Sequence, residues 1–573
     1  MTAIEKYNLW LNSDCFDETT KAELEAIKDD KNEIEERFYK DLEFGTGGLR
    51  GIIAAGTNRM NIYTVRKATQ GLANVILREG GKDKGAVVAF DSRNMSPEFA
   101  KETALCLAAN GIKAYIFDSL RPTPELSFAL RELGCIAGVV VTASHNPPEY
   151  NGYKVYWEDG AQVTYPLDDE IITEVNSITD YSSLKTISEE EAKDKGLYTV
   201  IGKEIDDRYM EELKKQVVNP DIIKKQGETL KIVYTPLHGT GNIPARRILN
   251  ELGFKNVYVV PKQEKPDGNF STVGYPNPED KKAFKLALEL AKEVDADIVL
   301  ATDPDADRLG LYAKDEETGE YVAFTGNMTA IIILEYLLSE KQKRGLLSDD
   351  GKIITTIVSG KMSKAVADYY GKELIEVLTG FKYIGEKIKQ FEQSGKGEYL
   401  FGYEESYGCL VGTHARDKDA IVAVMSLCEA AAFYKEQGIS LVKQMDNLFK
   451  KYGYYKEGLV NIALKGMDGA RRIVEIMEGL RKNPPKEVGG YKVLQFRDYK
   501  EETILDCVSG EKTTTGLPSS NVLYFTLEND AWCCVRPSGT EPKIKFYIGV
   551  KGETADKAQT ELEALTAAFE ALA

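Results

Sequence analysis

Short apolar runs alternate with longer amphipathic stretches between about residues 60 and 430. Runs of four to eight apolar residues rich in valine and isoleucine predict buried strands, and the longer periodic stretches predict helices. This alternation indicates α/β units. Polar loops follow directly after six of the predicted strands, which end at Phe90, Val141, Tyr234, Leu300, Val358 and Phe401.

The six strands form three successive pairs, which is a weak internal repeat and predicts three related α/β domains. The region after residue 450 differs, because strand-like runs at 522–525, 532–535 and 544–550 precede a helix at about 553–572. We therefore predict an α/β protein of four domains, three similar α/β domains with mixed sheets and a smaller C-terminal α+β domain. The predicted domains are 1–205, 206–325, 326–450 and 451–573.

A chain of 573 residues has room for several domains of ordinary size. Its composition, 43% hydrophobic and 29% charged, excludes wholesale disorder. The formal net charge of −18 disfavours nucleic acids and anionic membranes as partners. The longest apolar stretch, from Ala420 to Phe433, contains Glu429 and predicts a buried helix, not a membrane span.

Eight cysteines are scattered along the chain and do not form a disulfide framework. The first residues lack the basic start and apolar core of a secretory signal. We therefore expect a cytoplasmic protein, a monomer or a homodimer, that acts on a small molecule.

The sequence Asp303-Pro304-Asp305-Ala306-Asp307-Arg308 follows the predicted strand 298–300. Carboxylates at alternate positions converge when the backbone curls, and they supply the oxygen ligands that Mg²⁺ or Ca²⁺ prefers. An EF-hand is excluded, because Arg308 occupies the position that requires glycine and Lys314 the position that requires glutamate. A solvated acidic turn is the alternative. The adjacent Arg308 favours a metal that meets a phosphate.

Thr142-Ala143-Ser144-His145-Asn146-Pro147-Pro148 follows the predicted strand 138–141. Ser144 therefore lies just beyond the carboxyl end of a strand, where open α/β sheets bind ligands. An ordinary turn is the alternative for this loop alone. A serine and three carboxylates in equivalent positions indicate phosphoryl chemistry at a metal. Lys154 lies just beyond the serine loop, and a solvated surface lysine is its alternative.

Arg536-Pro537-Ser538-Gly539-Thr540 lies between two predicted strands and is suited to phosphate. Arginine supplies a planar fork of donors, the two hydroxyls add further donors, and the glycine permits a close backbone approach. A simple hairpin turn is the alternative.

Two further loops carry polar groups of interest. In an extended segment Glu404 and Ser406 would project to one side, which suits vicinal sugar hydroxyls.

Residues 45–51 contain several glycines, but they are not a dinucleotide fingerprint, because Arg50 replaces the third glycine and the preceding segment is charged. We expect a flexible loop that presents Arg50 to an anion.

The four loops at Ser144, Asp303, Glu404 and Arg536, in this order, resemble the α-D-phosphohexomutase superfamily, which includes phosphoglucomutase and phosphomannomutase. The resemblance covers nearly the whole chain and is most like a bacterial-type α-phosphoglucomutase. It implies four domains around a central cleft.

The same resemblance implies roles for individual residues. Ser144 carries a phosphoryl group in the resting enzyme, and its phosphate oxygen joins Asp303, Asp305 and Asp307 in holding Mg²⁺. Glu404 and Ser406 grip sugar hydroxyls. The substrate phosphate is bound by Arg536, Ser538, Gly539 and Thr540, and the cleft is lined by Arg50, His145, Lys154, Arg308, Thr379, Gly380 and Lys382.

The activity implied is that of a phosphoglucomutase, which converts glucose 1-phosphate and glucose 6-phosphate through a phosphoserine and glucose 1,6-bisphosphate. Lys154 or His145 is the candidate base. The sugar loop has Tyr403 before its glutamate and lacks the histidine of the dual mannose/glucose branch, and the missing histidine favours glucose over mannose. The alternatives are a phosphomannomutase, a phosphopentomutase, a sugar-1,6-bisphosphate synthase, a metal-dependent phosphatase or a sugar-phosphate or divalent-ion binding protein.

Overall fold

The computed structural model describes residues 1–45, 47–464, 466–537 and 543–571. The chain forms two compact units. Unit 1 contains residues 1–350 and 381–441, and unit 2 contains residues 351–380 and 442–573. None of the helices in the described part of the chain has the length and apolar character that a membrane span requires.

Three helices that the sequence pattern did not predict open the chain, namely α1 (Ala3–Asn12), α2 (Glu18–Ala26) and α3 (Lys31–Phe38). Side-chain oxygens of the preceding residues cap all three helix starts, which is the usual way to satisfy exposed amide groups. Aromatic residues hold the helices together, and the rings of Trp10 and Phe16 stack at 4.1 Å.

The first α/β region contains a six-stranded mixed sheet in the order β1-β5-β4-β2-β3-β6. Strands β2, β3, β4 and β6 are parallel, and β5 returns antiparallel to β4. Its elements are β1 (Gly48–Ile52), α4 (Ile62–Arg78), β2 (Ala86–Phe90), α5 (Ser96–Ala109), β3 (Ala114–Phe117), α6 (Thr123–Glu132), β4 (Ala137–Val141), β5 (Tyr150–Trp157), α7 (Leu167–Ser177), α8 (Glu189–Asp194), β6 (Tyr198–Ile201) and α9 (Lys203–Lys214).

The second region contains a five-stranded sheet in the order β11-β10-β9-β7-β8. A parallel trio, β8-β7-β9, is again followed by an antiparallel return strand, β10, as in the first region. Its elements are α10 (Pro220–Gln226), β7 (Lys231–Thr235), α11 (Asn242–Leu252), β8 (Asn256–Val259), α12 (Lys285–Val294), β9 (Ile298–Thr302), β10 (Leu309–Lys314), β11 (Tyr321–Phe324) and α13 (Gly326–Lys343).

The third region repeats this succession. In unit 2 the strands β12 (Gly351–Thr356) and β13 (Glu373–Val377) are parallel and flank α14 (Met362–Tyr369). In unit 1, α15 (Phe381–Ser394) precedes an antiparallel hairpin of β14 (Glu398–Glu404) and β15 (Gly408–Val411). Helix α16 (Ala420–Glu436) follows in unit 1, and all of α17 (Leu441–Tyr452) except its first residue belongs to unit 2.

The C-terminal region contains a sheet of eight strands, seven of them in the order β16-β23-β22-β21-β18-β19-β20, with β17 paired to β18. One face of the sheet forms a core with the two helices of the region. Its elements are β16 (Tyr454–Ala463), α18 (Gly466–Lys482), β17 (Glu487–Val488), β18 (Tyr491–Asp498), β19 (Thr503–Asp506), β20 (Lys512–Thr514), β21 (Leu523–Leu527), β22 (Trp532–Pro537), β23 (Lys543–Gly552) and α19 (Ala555–Glu570). The predicted fold class, three α/β domains and a different C-terminal domain, is confirmed.

Helix α16 is buried along nearly its whole length, as its apolar sequence predicts, and it carries the fully buried Glu429. The Oε1 atom of Glu429 accepts hydrogen bonds from the backbone amides of Val218 (3.0 Å) and Asn219 and from the hydroxyl of Tyr336 (2.8 Å). Oε2 has no partner among the described residues. Burial raises the pKa of Glu429 to about 7.

We predict that Glu429→Gln weakens the pH dependence of stability. Because the pKa of Glu429 is higher in the folded state than its ordinary value of 4.5, its contribution is complete below pH 4.5 and is lost as the pH rises through about 7. The rise of the pKa from 4.5 to about 7 corresponds to a loss of about 3 kcal/mol in the free energy of unfolding across this pH range. Urea unfolding followed by tryptophan fluorescence between pH 5 and 8 measures the effect.

Glu293→Gln, at an exposed position of α12, is the matched control and should follow the wild type. Parallel stability curves for wild type and Glu429→Gln would contradict the prediction.

Candidate active site

Three loops of unit 1 join a buried strand to its antiparallel neighbour, and they carry the principal candidate residues. We call them the serine loop (142–149, between β4 and β5), the aspartate loop (303–308, between β9 and β10) and the sugar loop (405–407, between β14 and β15). The serine and aspartate loops follow equivalent strands of the first two sheets, as the sequence predicts.

The aspartate loop curls so that its three carboxylates converge. Ala306 adopts a left-handed conformation with a φ of 53°. Asp303 Oδ1 accepts hydrogen bonds from the amides of Asp307 and Arg308, both at 3.1 Å. One oxygen from each of Asp303, Asp305 and Asp307 lies within 4.8 Å of the others, and all three residues are buried. This arrangement of buried carboxylates fits a metal site.

Ser144 faces these carboxylates. Its hydroxyl donates a hydrogen bond to Asp303 Oδ2 at 2.7 Å, and it lies 3.2 Å from His145 Nδ1. Ser144 is 3% exposed and adopts a left-handed backbone conformation with a φ of 51°. Such a conformation is unfavourable for a residue other than glycine, so its surroundings must stabilise it.

A buried ion pair after β2 provides that stabilisation. The side chain of Arg93 donates to the backbone carbonyls of Ser144 (2.5 Å), Asn146 and Pro147 (2.8 Å) in the serine loop and to that of Tyr150 (3.0 Å), the first residue of β5. Asp91 pairs with Arg93 and accepts a 2.6 Å hydrogen bond from Thr142. The sequence places Asp91 and Arg93 after a strand, but nothing in the pattern assigns them this role.

Three cations surround the carboxylates. Lys154 Nζ lies 2.8 Å from Asp305 Oδ2 and 3.5 Å from Asp307 Oδ2. Lys418, two residues before α16, lies 3.3 Å from Asp307 Oδ2. Arg308 Nε lies 3.7 Å from Asp307 Oδ1, although the guanidinium also pairs with Glu279 at 2.6 Å. Lys418 was not predicted from the sequence, because it lies in a charged segment several residues beyond the end of β15.

The buried environment shifts the pKa values of Asp303 and Asp307 in opposite directions. Burial and the neighbouring Asp305 and Asp307 raise the pKa of Asp303 well above its ordinary value. Burial also opposes the ionisation of Asp307, but Lys418 and Lys154 outweigh it and lower its pKa. The repulsion by Asp305 and Asp307 that raises the pKa of Asp303 is the repulsion that a bound divalent cation would relieve.

The pKa values of the two candidate bases, Lys154 and His145, are also shifted in opposite directions. Burial would lower the pKa of Lys154, but Asp305 and Asp307 raise it, so its ammonium group stays charged. Burial, and then the charges of Arg308 and Arg50, lower the pKa of His145 well below its ordinary value. His145 is therefore neutral near pH 7.

The orientation of the carboxylates also fits a cation. The Oδ1 atoms of Asp305 and Asp307 are buried and have no hydrogen-bond partner among the described residues. Thr123, the first residue of α6, holds Asp305 from the other side: its amide donates to the Asp305 carbonyl and its hydroxyl to Asp305 Oδ2, both at 2.9 Å. Nothing in the sequence pattern marks Thr123 as a functional residue, since only the tertiary fold brings α6 to the aspartate loop.

The sugar loop adjoins the aspartate loop. The carbonyl of Tyr407 accepts a 2.9 Å hydrogen bond from the amide of Leu309, which follows Arg308. Glu404 is the last residue of β14, whereas Ser406 lies in the turn. The prediction that both project from one extended segment is therefore wrong, because the chain reverses direction between them.

Arg50 lies on strand β1 and not in the flexible loop that was predicted. The strand can pair closely with β5 because Gly48 has no side chain; a Cβ there would overlap the carbonyl oxygen of Tyr153. The guanidinium of Arg50 is exposed and donates to Asn146 Oδ1 of the serine loop at 3.3 Å.

The remaining predicted residues are not part of this cluster as it is described. Lys382 Nζ lies 3.4 Å from Asp168 of α7. Thr379, Gly380 and Arg536 belong to unit 2, and their roles stay predictions. Three others, Ser538, Gly539 and Thr540, lie outside the described residues.

Comparison with known proteins finds three matching family models. They are the phosphoglucomutase/phosphomannomutase α/β/α domains I, II and III, which match residues 41–182, 207–318 and 325–452. The three matches follow the three α/β regions of the fold in order.

Relatives and solved structures agree. A phosphoglucomutase of Staphylococcus epidermidis RP62A is 37% identical over 529 residues, which cover 91% of this chain and 93% of the relative. One of Staphylococcus aureus MRSA252 is 35% identical over 539 residues, covering 93% and 94%. The open form of pp63/parafusin, a phosphoglucomutase of Paramecium, has the same fold (TM-score 0.69, 18% identity, covering 93% of this chain and 94% of that one). The chain therefore belongs to the phosphoglucomutase/phosphomannomutase family.

Proposed function

We propose that the chain is a phosphoglucomutase, which converts glucose 1-phosphate and glucose 6-phosphate through a phosphoserine at Ser144 and a glucose 1,6-bisphosphate intermediate. The observation that carries the proposal is the 2.7 Å contact between the buried Ser144 hydroxyl and Asp303, within a cluster of three carboxylates and three cations. The relatives named phosphoglucomutase support it.

Asp303, Asp305 and Asp307, with an oxygen of phosphorylated Ser144, would hold the metal, which we propose to be Mg²⁺ because all its ligands are oxygens. The unpartnered Oδ1 atoms of Asp305 and Asp307 support this assignment. When bound, the ion neutralises charge on the phosphoryl group and on the serine oxygen that leaves.

The protein groups perform the transfer in two steps. In the first, the free hydroxyl of the sugar monophosphate attacks phosphorus and loses its proton to a base, while the bond between phosphorus and Ser144 Oγ breaks and the serine oxygen regains a proton. In the second, after the bisphosphate has turned round, the Ser144 hydroxyl attacks the other phosphoryl group and gives up its proton, while the bond between that phosphorus and the sugar oxygen breaks and the sugar oxygen is protonated. Arg308 and Lys418 lie beside the cluster, where they can stabilise the transferring negative charge.

Lys154 and His145 are the candidates for proton transfer. Lys154 is bound to two of the carboxylates, and its charge is needed there. His145 is neutral and already contacts Ser144 Oγ. We therefore assign proton transfer at the serine to His145 and charge neutralisation to Lys154.

Binding of the sugar and its phosphate rests on groups beyond the cluster. We propose that Glu404 and Ser406 bind sugar hydroxyls in both orientations. The nonreacting phosphate would be bound by Arg536, Ser538, Gly539 and Thr540, with Arg50, Thr379, Gly380 and Lys382 lining the cleft. We further propose a cytoplasmic monomer or homodimer with domains at 1–205, 206–325, 326–450 and 451–573.

A substrate panel tests the choice of sugar. Purified protein with Mg²⁺ and catalytic glucose 1,6-bisphosphate should have a kcat/KM for glucose 1-phosphate that is at least about tenfold higher than for mannose 1-phosphate or ribose 1-phosphate. Faster turnover of ribose or mannose 1-phosphate would identify a phosphopentomutase or phosphomannomutase. Net synthesis of bisphosphate would identify a synthase, and release of phosphate without isomerisation a phosphatase.

Replacing Ser144 by alanine should remove both the covalent phosphate and the activity. Intact-mass measurement of the protein after incubation with glucose 1,6-bisphosphate should show a gain of about 80 Da in the wild type and none in Ser144→Ala. Mutase activity should fall at least about a thousandfold, because the nucleophile is lost. Ser182→Ala, an exposed serine in a 3₁₀ turn, is the control and should retain both. A phosphate that persists in Ser144→Ala would refute the assignment.

Removing the Thr123 hydroxyl should weaken metal binding. Thr123→Val keeps the side-chain shape but removes the bond to Asp305 Oδ2, and such orienting groups usually contribute tenfold or more to metal affinity. Titration with Mn²⁺, followed by electron paramagnetic resonance, should give a dissociation constant about tenfold higher than for the wild type.

Thr123→Ser retains the hydroxyl and should bind Mn²⁺ nearly as well as the wild type, with both variants melting at similar temperatures. Equal Mn²⁺ affinity for Thr123→Val and wild type would show that the hydroxyl does not orient Asp305.

A further inference from the structure

The second face of the C-terminal sheet is polar and aromatic. On β21 and β22 the residues Phe525, Cys533 and Val535 point into the core, so alternate residues point to the opposite face. There the rings of Tyr524 and Trp532 stack at 5.6 Å with an angle of 4° between their planes. A sheet face that packed only against another layer of the fold would be expected to be apolar.

A cavity of about 490 Å³ lies on this face, within unit 2. Its walls are the sheet on one side and α14 and β13 on the other, which contribute among others Lys361, Lys364 and Glu376. This volume is in the range of small-molecule binding sites. None of the lining residues belongs to the serine, aspartate or sugar loop.

Two polar atoms on the wall of the cavity lack partners. Arg497 Nε and Thr526 Oγ1 are both buried and have no hydrogen-bond partner among the described residues. Buried donors without a partner are costly, and in native proteins they usually face water or a ligand. Both residues project from neighbouring strands, β18 and β21, of the same sheet.

The charges around the cavity leave Arg497 poorly neutralised. Four cations face three carboxylates there. Two of the cations have close partners of their own, since Lys364 pairs with Asp368 at 2.5 Å and Lys551 with Asp530 at 3.0 Å. Arg497 shares Glu376 with Lys361, and its Nη1 lies 3.8 Å from Glu376 Oε2, beyond hydrogen-bond distance. Its Nη2 donates to the uncharged Gln495 Oε1 at 3.3 Å, which does not neutralise its charge.

The aromatic rings hold both shared cations in place. Lys361 Nζ lies 5.4 Å from the ring centre of Tyr524 and 5.3 Å from that of Trp532, and the Arg497 guanidinium lies 5.0 Å from that of Tyr524. Cations over ring faces are oriented as well as stabilised. The cavity therefore presents a fixed arginine and lysine with a hydroxyl beside them, which is the donor set that binds phosphate.

We propose that this cavity is a second ligand site, which binds the phosphoryl group of a small phosphorylated metabolite. Arg497 and Lys361 would pair with the phosphate, and Thr526 would donate its hydroxyl. A phosphoryl group carries nearly two negative charges at pH 7 and can therefore displace Glu376, which carries one. Because the site joins residues 351–380 to the C-terminal sheet within unit 2, its occupancy stabilises that unit.

The fluorescence of Trp532 gives a local measurement of occupancy, because the other two tryptophans, Trp10 and Trp157, lie in unit 1. The full-length protein is titrated in EDTA with inorganic phosphate, glucose 6-phosphate and adenosine monophosphate in separate experiments. Saturable changes should appear in the wild type and be absent from the emission of a Trp532→Phe variant. The most tightly bound of the three ligands identifies the part of the metabolite beyond the phosphate.

Arg497→Gln should raise the dissociation constant at least about tenfold, because a charge-assisted contact is lost. Arg472→Gln, an arginine of α18 outside the cavity, is the matched control and should bind as the wild type does. Thr526→Val, which removes only the unpartnered hydroxyl, should also weaken binding. If Arg497→Gln melts at a much lower temperature than the wild type, its weaker binding could reflect unfolding, and the dissociation constant of Thr526→Val then tests the site.

Two results would overturn the proposal. One is a wild-type titration without saturable change for any of the three ligands, which would show that the cavity holds only water. The other is an equal dissociation constant for wild type, Arg497→Gln and Thr526→Val. Neither result would affect the assignment of Ser144, which is tested by intact mass.

Discussion

The mutual repulsion of three buried carboxylates is the constraint on which the candidate active site depends. Two unit charges 4 Å apart interact by about 4 kcal/mol at an effective dielectric constant of 20, several times the contribution of an ordinary hydrogen bond. Asp303, Asp305 and Asp307 lie within such distances. The cluster can therefore be stable only with cations in contact, and Lys154 and Lys418 supply two of them from different regions of the chain. The same carboxylate charge makes the cluster fit a divalent ion.

The serine and aspartate loops each contain a residue in an unfavourable backbone conformation, and this conformation orients the side chains of the site. Ser144 and Ala306 adopt left-handed conformations, which aim the hydroxyl and the carboxylates at one point. Local sequence alone would not stabilise these conformations, so long-range contacts must do so. Arg93 donates to three carbonyls of the serine loop and to that of Tyr150 on β5, and Thr123 donates to both the backbone and the side chain of Asp305. Rigid contacts of this kind give preorganised geometry to a site that transfers a phosphoryl group.

Much of this fold could be predicted from the sequence, because its buried strands are easily recognised. Buried strands such as β4 and β9 are continuous apolar runs, so the residues after them, Ser144 and Asp303, could be assigned to a strand end from the sequence. The helices α1 to α3 were missed because they lie outside the alternating pattern. Thr123, Arg93 and Lys418 could not be found either, since each acts through a contact with a residue far away in the chain. The turn at Ser406 was misjudged because an extended run does not reveal where the chain reverses.

The distribution of charge also separates the two candidates for proton transfer. For Lys154 to accept a proton it would first have to lose one, and its ammonium group is the closest positive charge to Asp305 in the described part of the chain. Deprotonation would return the cluster to the repulsion that the lysine relieves. His145 does not neutralise the carboxylates, because it is neutral. It contacts Ser144 Oγ, and its ring packs edge-on against that of Tyr275 with ring centres 5.9 Å apart. A neutral imidazole can take a proton without removing a charge that the carboxylates require, which supports the proposal that His145 transfers the proton at the serine.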